Sequence, residues 1–205
     1  GRNIFFLNSD TILLNNAVKI LSDYLDKNPK VGVCGGNLYD ENGIATHSHL
    51  KILPGLFYEF NQICFSFYSK FFVKNFHHNY EKHPIEVSYV TGADMMIKKS
   101  LIDIVGCFDP DFFLYYEETE LQNRISKTGY KIMNVPQSKI IHLEGASSIN
   151  SEWKINVILE SYKLYLSKIY KFKLTQKFTV FMFKIKCLRN LFLYTIINNK
   201  QNKNY

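Results

Sequence analysis

The chain has 205 residues, of which 46% are hydrophobic and 16% aromatic, and its formal net charge is +7. This length and composition allow a buried core and exclude a disordered chain. The basic balance favours anionic partners such as anionic lipid or nucleotide diphosphates, whereas nucleic acid is unsupported because no RNA-recognition or zinc-finger pattern occurs.

The first quarter of the sequence is predicted to alternate strands and helices. The apolar run Ile4–Leu7 is typical of a buried strand, and apolar residues then recur with a helical period from Leu13 to Leu25. The pair Asn28–Pro29 ends this helix. A short strand follows at Val31–Leu38, and Asp40–Gly43 has the composition of a hairpin turn.

Residues 54–83 are rich in aromatic side chains and show no clear periodicity. Two interpretations stay open for this segment. Its aromatic residues can belong to helices that pack on the core. They can also form a surface that faces an acceptor sugar or a membrane, because sugars stack on aromatic rings and lipids accept exposed apolar side chains.

The rest of the chain again alternates strands and helices. Strands are predicted at Glu86–Val90, Met95–Lys98, Lys131–Val135 and Lys139–His142. Helices are predicted at Ser100–Val105, Glu118–Thr128 and Glu152–Tyr170, and an apolar segment with interspersed basic residues follows at Phe178–Ile197. We expect Ser100 to cap its short helix and Gly129 to end the longer one.

Three acidic residues stand at the start of the predicted helix that follows Tyr115 and Tyr116, namely Glu117, Glu118 and Glu120. Acids here can cap a helix and favour its dipole, which is the structural interpretation. Like charges this close also disfavour each other's ionisation and raise a pKa, which suits a general base. Both interpretations stay open on the residues alone.

Three further residues have polar side chains at predicted strand boundaries. Asp10 follows a strand end, where a carboxylate can hold Mg²⁺ or Mn²⁺, or can cap a helix that starts at Thr11. His142 is either a hydrogen-bonded structural histidine or a ligand of metal or phosphate. Asp94 can accept sugar hydroxyls next to the small residues Gly92 and Ala93, or it can pair with a lysine.

Several motifs in a fixed order resemble family 2 glycosyltransferases, closest to the rhamnosyltransferase-like branch. The motifs are LNSDT (Leu7–Thr11), VTGADMMIKKS (Val90–Ser100), the run Val105–Pro136 with its Gly-Cys-Phe-Asp turn and acidic pair, and IIHLEGASS (Ile140–Ser148) with its His-x-x-Gly. Each motif is weak alone, but five in this order and spacing are specific. The resemblance covers about residues 4–170.

The resemblance implies roles for particular residues. Glu118 stands where the family has the aspartate that acts as general base, and Glu117 is the reserve candidate. Asp10 and His142 match the metal and diphosphate site. Asn8, where many relatives have a first aspartate, joins Gly92, Ala93 and Asp94 as a substrate-binding residue. Asn8 and Glu118 depart from the family pattern.

The resemblance also implies a fold and an activity. We expect an α/β, GT-A-like mixed sheet with flanking helices that lacks the amino-terminal nucleotide-binding half, with a partial GT-A domain over residues 1–175 and a basic amphipathic tail over 176–205. The implied activity is metal-dependent, inverting transfer of a sugar from a nucleotide-diphosphate donor to a glycan or lipid-linked acceptor, in cell-surface polysaccharide biosynthesis. The isolated fragment need not be active. The alternative is a non-catalytic glycan- or membrane-binding remnant.

The cellular location and the tail are also matters of prediction. We expect a cytoplasmic protein at the inner face of the cytoplasmic membrane. The segment Phe178–Ile197 mixes apolar residues with Lys184, Lys186 and Arg189, so it can lie in a membrane interface with the basic side chains at anionic headgroups. The alternative is a helix that packs on the domain.

Overall fold

A computed structural model describes residues 1–65, 81–143 and 151–201 of the chain. The chain divides into two compact units: Gly1–Leu53 with Asn75–Ser161, and Pro54–Lys74 with Tyr162–Tyr205. The predicted division into residues 1–175 and 176–205 stays a prediction. The predicted aromatic surface over 54–83 lies partly outside the described residues, as do Glu144–Ser148 of the His-x-x-Gly motif.

The described strands and helices follow one another closely along the chain. The strands are β1 (Asn3–Leu7), β2 (Thr11–Leu13), β3 (Val31–Tyr39), β4 (His49–Leu50), β5 (Ile85–Val87), β6 (Tyr89–Val90), β7 (Asp94–Lys98) and β8 (Lys131–His142). The helices are α1 (Ala17–Lys27), α2 (Leu56–Ile63), α3 (Lys99–Val105), α4 (Glu117–Lys127), α5 (Ser151–Ile169) and α6 (Lys173–Gln201).

The first unit is built on a six-stranded mixed sheet in the order β1-β7-β3-β8-β2, with β5 also paired to β8. β3 and β8 run parallel, whereas β7 is antiparallel to both β1 and β3. β1, β3 and β8 therefore share one direction, and their carboxyl ends meet at one edge of the sheet. β7 begins at that same edge, because Leu7 pairs with Asp94.

Helices cover both faces of this sheet. Along β7, side chains alternate between the faces: Met95 and Ile97 pack in a cluster with Leu101 of α3 and Leu121 of α4. Met96 lies in a second cluster with Leu21 and Leu25 of α1, as well as Val31, Cys34 and Val135. The sheet is therefore buried on two sides, which explains the nearly continuous apolar sequence of β3.

Four predicted elements differ from the structure. The strand predicted at Glu86–Val90 is divided into β5 and β6, which pair with β8 and β4 respectively. The helix predicted from Leu13 begins at Ala17, because Thr11–Leu13 instead forms β2 and pairs with the end of β8. The two strands predicted at 131–135 and 139–142 are one strand, β8, which continues through Pro136. Ser100 lies inside α3, whose N-cap residue is Lys98.

The second unit contains α2 and α6. These helices contact each other through an ion pair between Glu59 and Lys186, with Nζ and Oε2 2.6 Å apart. None of the helices in the described ranges combines the length and the apolar character that crossing a bilayer requires.

Candidate active site

The first unit contains a cavity of about 460 Å³ at the sheet edge where β1 and β8 end. Six of the eight predicted site residues line it, namely Asn8, Gly92, Ala93, Glu117, Glu118 and His142. The other lining residues are Phe6, Leu7, Thr91, Phe108, Leu114 and Tyr115. The structure thus brings together segments that lie more than a hundred residues apart in sequence.

One corner of this site is formed by the loop between β1 and β2. Thr11 Oγ1 donates to the carbonyl of Asn8 at 2.7 Å, which closes the loop, and Leu143 N donates to the carbonyl of Asp10 at 3.0 Å. The backbone N–H of Asn8 donates to the carbonyl of Ala93 at 3.0 Å. These bonds hold the Asn8–Asp10 loop against both β8 and the segment before β7.

The side chains of Asn8 and Asp10 both lie close to one ring nitrogen of His142, the Nε2 atom. Nε2 of His142 lies 3.3 Å from Nδ2 of Asn8 and 3.4 Å from Oδ1 of Asp10. A hydrogen bond from Asn8 requires a lone pair on Nε2, whereas an ion pair with Asp10 requires a proton there, so only one contact is satisfied at a time.

The side chains of Asp10, His142 and Asn8 are of types that bind divalent cations. Carboxylate, imidazole and amide oxygen are ligands that Mn²⁺ accepts, and the nitrogen and oxygen of the Asn8 amide exchange by a flip. Over the described ranges, no cluster of three or more His, Cys, Asp or Glu residues is present that could hold a metal. Asp10 and His142 would therefore depend on Asn8 for a third protein ligand.

The alternative role of Asp10 as a helix cap is wrong. The residue that follows it, Thr11, begins β2 rather than a helix, and the N-cap position of α1 is Asn16. The side chain of Asp10 is partly exposed at the edge of the site. A role in helix capping therefore no longer competes with a role as ligand.

The acidic pair begins α4 directly after an unusual turn. Tyr115 and Tyr116 both have positive φ, at 69° and 68°, which is a costly conformation for residues other than glycine. Such strain persists only where the surrounding structure imposes it, and it concentrates at functional sites. Glu117 and Glu118 follow this turn directly, in the first turn of α4, and both line the cavity.

The environment of the pair favours the protonated carboxyl. Burial, and secondly the charge of Glu117, raise the pKa of Glu118 to about 7, while hydrogen bonds from Thr119 and from its own backbone N–H oppose the rise. Burial also raises the pKa of Glu117. The direction agrees with the prediction, but the larger cause is burial and not the neighbouring charge.

Glu120, the third acid, has a structural role instead. Its carboxylate accepts two hydrogen bonds from Nε of Arg124, at 2.8 and 2.9 Å. Arg124 also donates to the carbonyls of Val105 and of Cys107, the latter at 2.7 Å. This pair therefore ties α4 to the Gly-Cys-Phe-Asp turn, which the sequence analysis did not anticipate.

Gln122 is a second residue that the sequence analysis missed. It is fully buried, accepts a hydrogen bond from Val90 N at 2.9 Å, and donates to Val90 O at 2.7 Å and to Glu118 O at 3.1 Å. It therefore clamps the strand before Gly92 to the first turn of α4. The only sequence signal was its position four residues after Glu118, on the helix face that carries the acid.

The structure does not bring Asp94 into the cavity. Its side chain is fully buried, and Oδ2 accepts a hydrogen bond from the backbone N–H of Gly36. Burial raises its pKa to about 7 despite this hydrogen bond. Among the described residues its hydrogen-bond partner is thus the backbone of β3, and not a lysine as the alternative interpretation supposed.

Sequence comparisons give partial matches. No protein-family model matches the chain. A 62-residue segment is 29% identical to the N-acetylglucosaminyl-diphospho-decaprenol L-rhamnosyltransferases of two Mycobacterium tuberculosis strains, CDC 1551 / Oshkosh and ATCC 25618 / H37Rv. The match covers 30% of this chain and 20% of each relative's length.

A comparison of structures gives a broader match. A crystal structure of GalNAc-T7 with UDP, GalNAc and Mn²⁺ superimposes on 82% of this chain with a TM-score of 0.51 and 16% sequence identity. The chain covers 31% of that protein. The likeness confirms the predicted fold class, a GT-A-like mixed sheet with flanking helices. Together the comparisons support a relationship to glycosyltransferases, while the rhamnosyltransferase-like branch stays a prediction.

Proposed function

We propose that this chain forms part of an inverting glycosyltransferase that uses a nucleotide-diphosphate sugar. The observation that carries the proposal is Glu118, a carboxyl with a pKa of about 7 that lines the same cavity as Asn8 and His142. A general base works best when its pKa lies near the operating pH. The GT-A-like fold and the sequence match to a rhamnosyltransferase support this choice of reaction.

In the proposed reaction Glu118 accepts the proton of an acceptor hydroxyl. The oxygen of that hydroxyl forms a bond to the anomeric carbon as the bond from this carbon to the diphosphate oxygen breaks. The bonding electrons leave with the nucleoside diphosphate, and the proton ends on Glu118. A single displacement from the opposite side inverts the anomeric centre.

Asp10, His142 and Asn8 are the residues that would hold Mg²⁺ or Mn²⁺ in this proposal. A divalent cation there would stabilise the negative charge of the leaving diphosphate as a Lewis acid. The solved relative in the fold comparison carries UDP and Mn²⁺, which supports the choice of ligand class.

Glu118 is preferred over Glu117 for two reasons. Its side chain lies beside Gly92 at the wall of the cavity, where an added Cβ would be 3.4 Å from its Cγ, and its pKa is raised by the charge of Glu117 in addition to burial. A neighbour that keeps its negative charge makes Glu118 the stronger base of the pair. Glu117 also lines the cavity and stays the reserve candidate.

The remaining predicted roles concern substrates. Gly92 and Ala93 line the cavity with little bulk and would leave room for a sugar close to the backbone. Asp94, which follows these two residues, would act indirectly, by accepting a hydrogen bond from the backbone N–H of Gly36. By analogy with the rhamnosyltransferase match, we propose a glycan or lipid-linked acceptor, and hence polysaccharide synthesis at the cytoplasmic face of a membrane.

A donor screen tests the proposed substrate class. The full-length protein is incubated with Mn²⁺, a set of UDP-, GDP- and dTDP-sugars and candidate acceptor glycans, and released nucleoside diphosphate is measured. We expect release from at least one donor, and its loss when Mn²⁺ is chelated. Absence of both donor binding and release across the whole set would refute the proposal.

A further inference from the structure

The long helix α6 in the second unit has two unlike faces. One face, here called the inner face, contains Thr179, Lys186 and Arg189. Lys186 pairs with Glu59 of α2, and Arg189 donates to the carbonyls of Gln62 and Ile63 at the end of α2, at 2.5 and 2.7 Å. Thr179 is fully buried. These contacts determine which side of α6 packs within the unit.

The pairing of Glu59 fixes the rotation of α6. Glu59 is 1% exposed, its Oε1 accepts a hydrogen bond from Tyr162 at 3.0 Å, and its Oε2 contacts Lys186. Rotating α6 to bury its other side would leave the carboxylate of Glu59 buried without a cation. Removing one partner of a buried ion pair leaves an uncompensated buried charge, so this rotation is strongly disfavoured.

A second side of α6 carries an exposed row of large apolar residues, here called the outer stripe. It consists of Leu174, Phe178, Phe181, Leu188 and Phe192, which recur at helical spacing and are 79%, 49%, 56%, 67% and 65% exposed. Single exposed apolar residues are ordinary, but a contiguous row over five turns marks an interaction surface.

The charges of α6 identify a partner that is both anionic and apolar. The 29 residues of the helix contain no Asp or Glu, and the exposed Lys177 and Lys184 follow one edge of the outer stripe two turns apart. An apolar row bordered by lysines matches the interface of a bilayer, where the apolar side chains enter the acyl boundary and the lysines meet anionic headgroups.

We propose that the outer stripe of α6 binds the surface of an anionic lipid bilayer, with the helix lying in the plane of the interface. Lys184 stands near the middle of the helix, where a charge opposes spanning. The inference goes beyond the proposed function, because binding to lipid is measured without any sugar donor and stands or falls independently of catalysis.

Vesicle flotation tests the proposal with two variants of the chain. We expect the unsubstituted chain to float with phosphatidylcholine vesicles that contain phosphatidylglycerol, and less so as salt rises. The apolar variant Phe178→Ser/Phe181→Ser/Leu188→Ser should bind at least about tenfold more weakly. The charge variant Lys177→Glu/Lys184→Glu should lose at least about tenfold on anionic vesicles and little on neutral ones.

Matched variants on the first unit control for general loss of apolar surface and of charge. Ile44→Ser/Ile104→Ser removes exposed apolar side chains, and Lys30→Glu/Lys127→Glu makes the same change of charge; both should bind as the unsubstituted chain does. Circular dichroism checks the fold, and the single changes Leu188→Ser and Lys177→Glu serve if the multiple variants do not fold.

Three results would overturn the proposal. The unsubstituted chain could stay unbound to anionic vesicles at low salt, or the apolar and charge variants could bind as well as the controls. The third result would be a dimer of the unsubstituted chain in light scattering, which the apolar variant converts to a monomer while vesicle binding is unchanged. The outer stripe would then be an interface between two copies of the chain.

Discussion

Gly92 and Glu118 are neighbours at the wall of the cavity, with room for little more than a methyl group between them. A Cβ added to Gly92 would lie 3.4 Å from Cγ and 3.5 Å from Cβ of Glu118. Gln122 links the strand before Gly92 to the first turn of α4 through hydrogen bonds, and these bonds fix the spacing between Gly92 and Glu118. The position of the proposed base therefore depends on the absence of a side chain larger than a methyl group at residue 92.

Enlarging residue 92 should displace the carboxylate of Glu118. A methyl group fits at ordinary contact distance, so Gly92→Ala should keep kcat within about threefold of the original value. The larger Gly92→Val should lower kcat by at least about tenfold, because small misplacements of a catalytic group are costly. Steady-state kinetics and thermal melts would measure both variants. If Gly92→Val has the same kcat as the original protein, the space at residue 92 does not determine where the carboxylate of Glu118 lies.

The same substitution at Gly36 should act on stability instead. A Cβ on Gly36 would lie 2.5 Å from Oγ and 2.6 Å from the carbonyl oxygen of Ser138, so the strands must separate. We expect Gly36→Ala to lower the free energy of unfolding by about 1–3 kcal/mol, as overpacking does. Denaturant titration measures this, with Gly92→Ala as the matched control; equal stability of the two variants would speak against the tight packing of β3 on β8.

The stability of the fold should decrease as the pH rises through neutrality. Burial raises the pKa values of Asp94 and Glu118 from 3.8 and 4.5 to about 7, so the folded state binds these protons more tightly than the unfolded chain does. Their contribution is fully present below pH ~4 and is lost as the pH passes ~7. Asp94→Asn and Glu118→Gln should each flatten the decline.

Denaturant titrations from pH 4 to pH 8 would measure this dependence. The exposed Glu41→Gln is the control, since it changes the same chemical group at the surface. An unfolding free energy that rises over this range, or that declines equally steeply in Asp94→Asn, Glu118→Gln and the control, would show that these carboxyls are not the cause.

The positions of the candidate site residues in the fold were easier to predict from the sequence than the contacts around them. The apolar run of β1 and the apolar face of α4 are local patterns, so the locations of Asn8, Asp10 and Glu118 at the ends of these elements followed directly. The start of α1 did not follow, because Thr11–Leu13 pairs with Ile140–His142, and tertiary pairing of this kind overrides local periodicity.

The role of Asp94 was also beyond local patterns. Its side chain shares a face of β7 with Met96, directed to the backbone of Gly36, and no feature of the sequence indicates that neighbour. In the same way, Gln122 and Arg124 look like ordinary polar residues of an exposed helix. Their partners, Val90 and the Val105–Cys107 turn, become visible only when the strands and helices are assembled.

Removal of the carboxylate at residue 10 should separate catalysis from folding. Asp10→Ala takes away the one carboxylate among the three residues proposed for the cation, so transfer dependent on Mn²⁺ should fall below detection in the full-length protein. The partly exposed side chain caps no helix, so the melting temperature should change little. Calorimetric titration with Mn²⁺ and a nucleoside diphosphate provides a readout that does not require turnover.

The matched control is Asp111→Ala, the same change at an exposed acid of the same unit. Unchanged cation binding in Asp10→Ala would remove Asp10 from the proposed metal site. A loss of stability by more than about 1 kcal/mol, with activity retained, would indicate a structural role of the kind that capping has in other proteins.

The role of Glu118 as general base is tested by comparing Glu118→Gln with Glu117→Gln in the full-length protein, using turnover and donor dissociation constants together. A base acts mainly in the transition state, so Glu118→Gln should lower kcat by at least about a hundredfold while donor binding stays within about threefold. The original protein should also gain activity as the pH rises through ~7, when Glu118 loses its proton. If Glu117→Gln has this effect and Glu118→Gln does not, the base is misassigned. If neither variant loses turnover, the proposed mechanism is wrong.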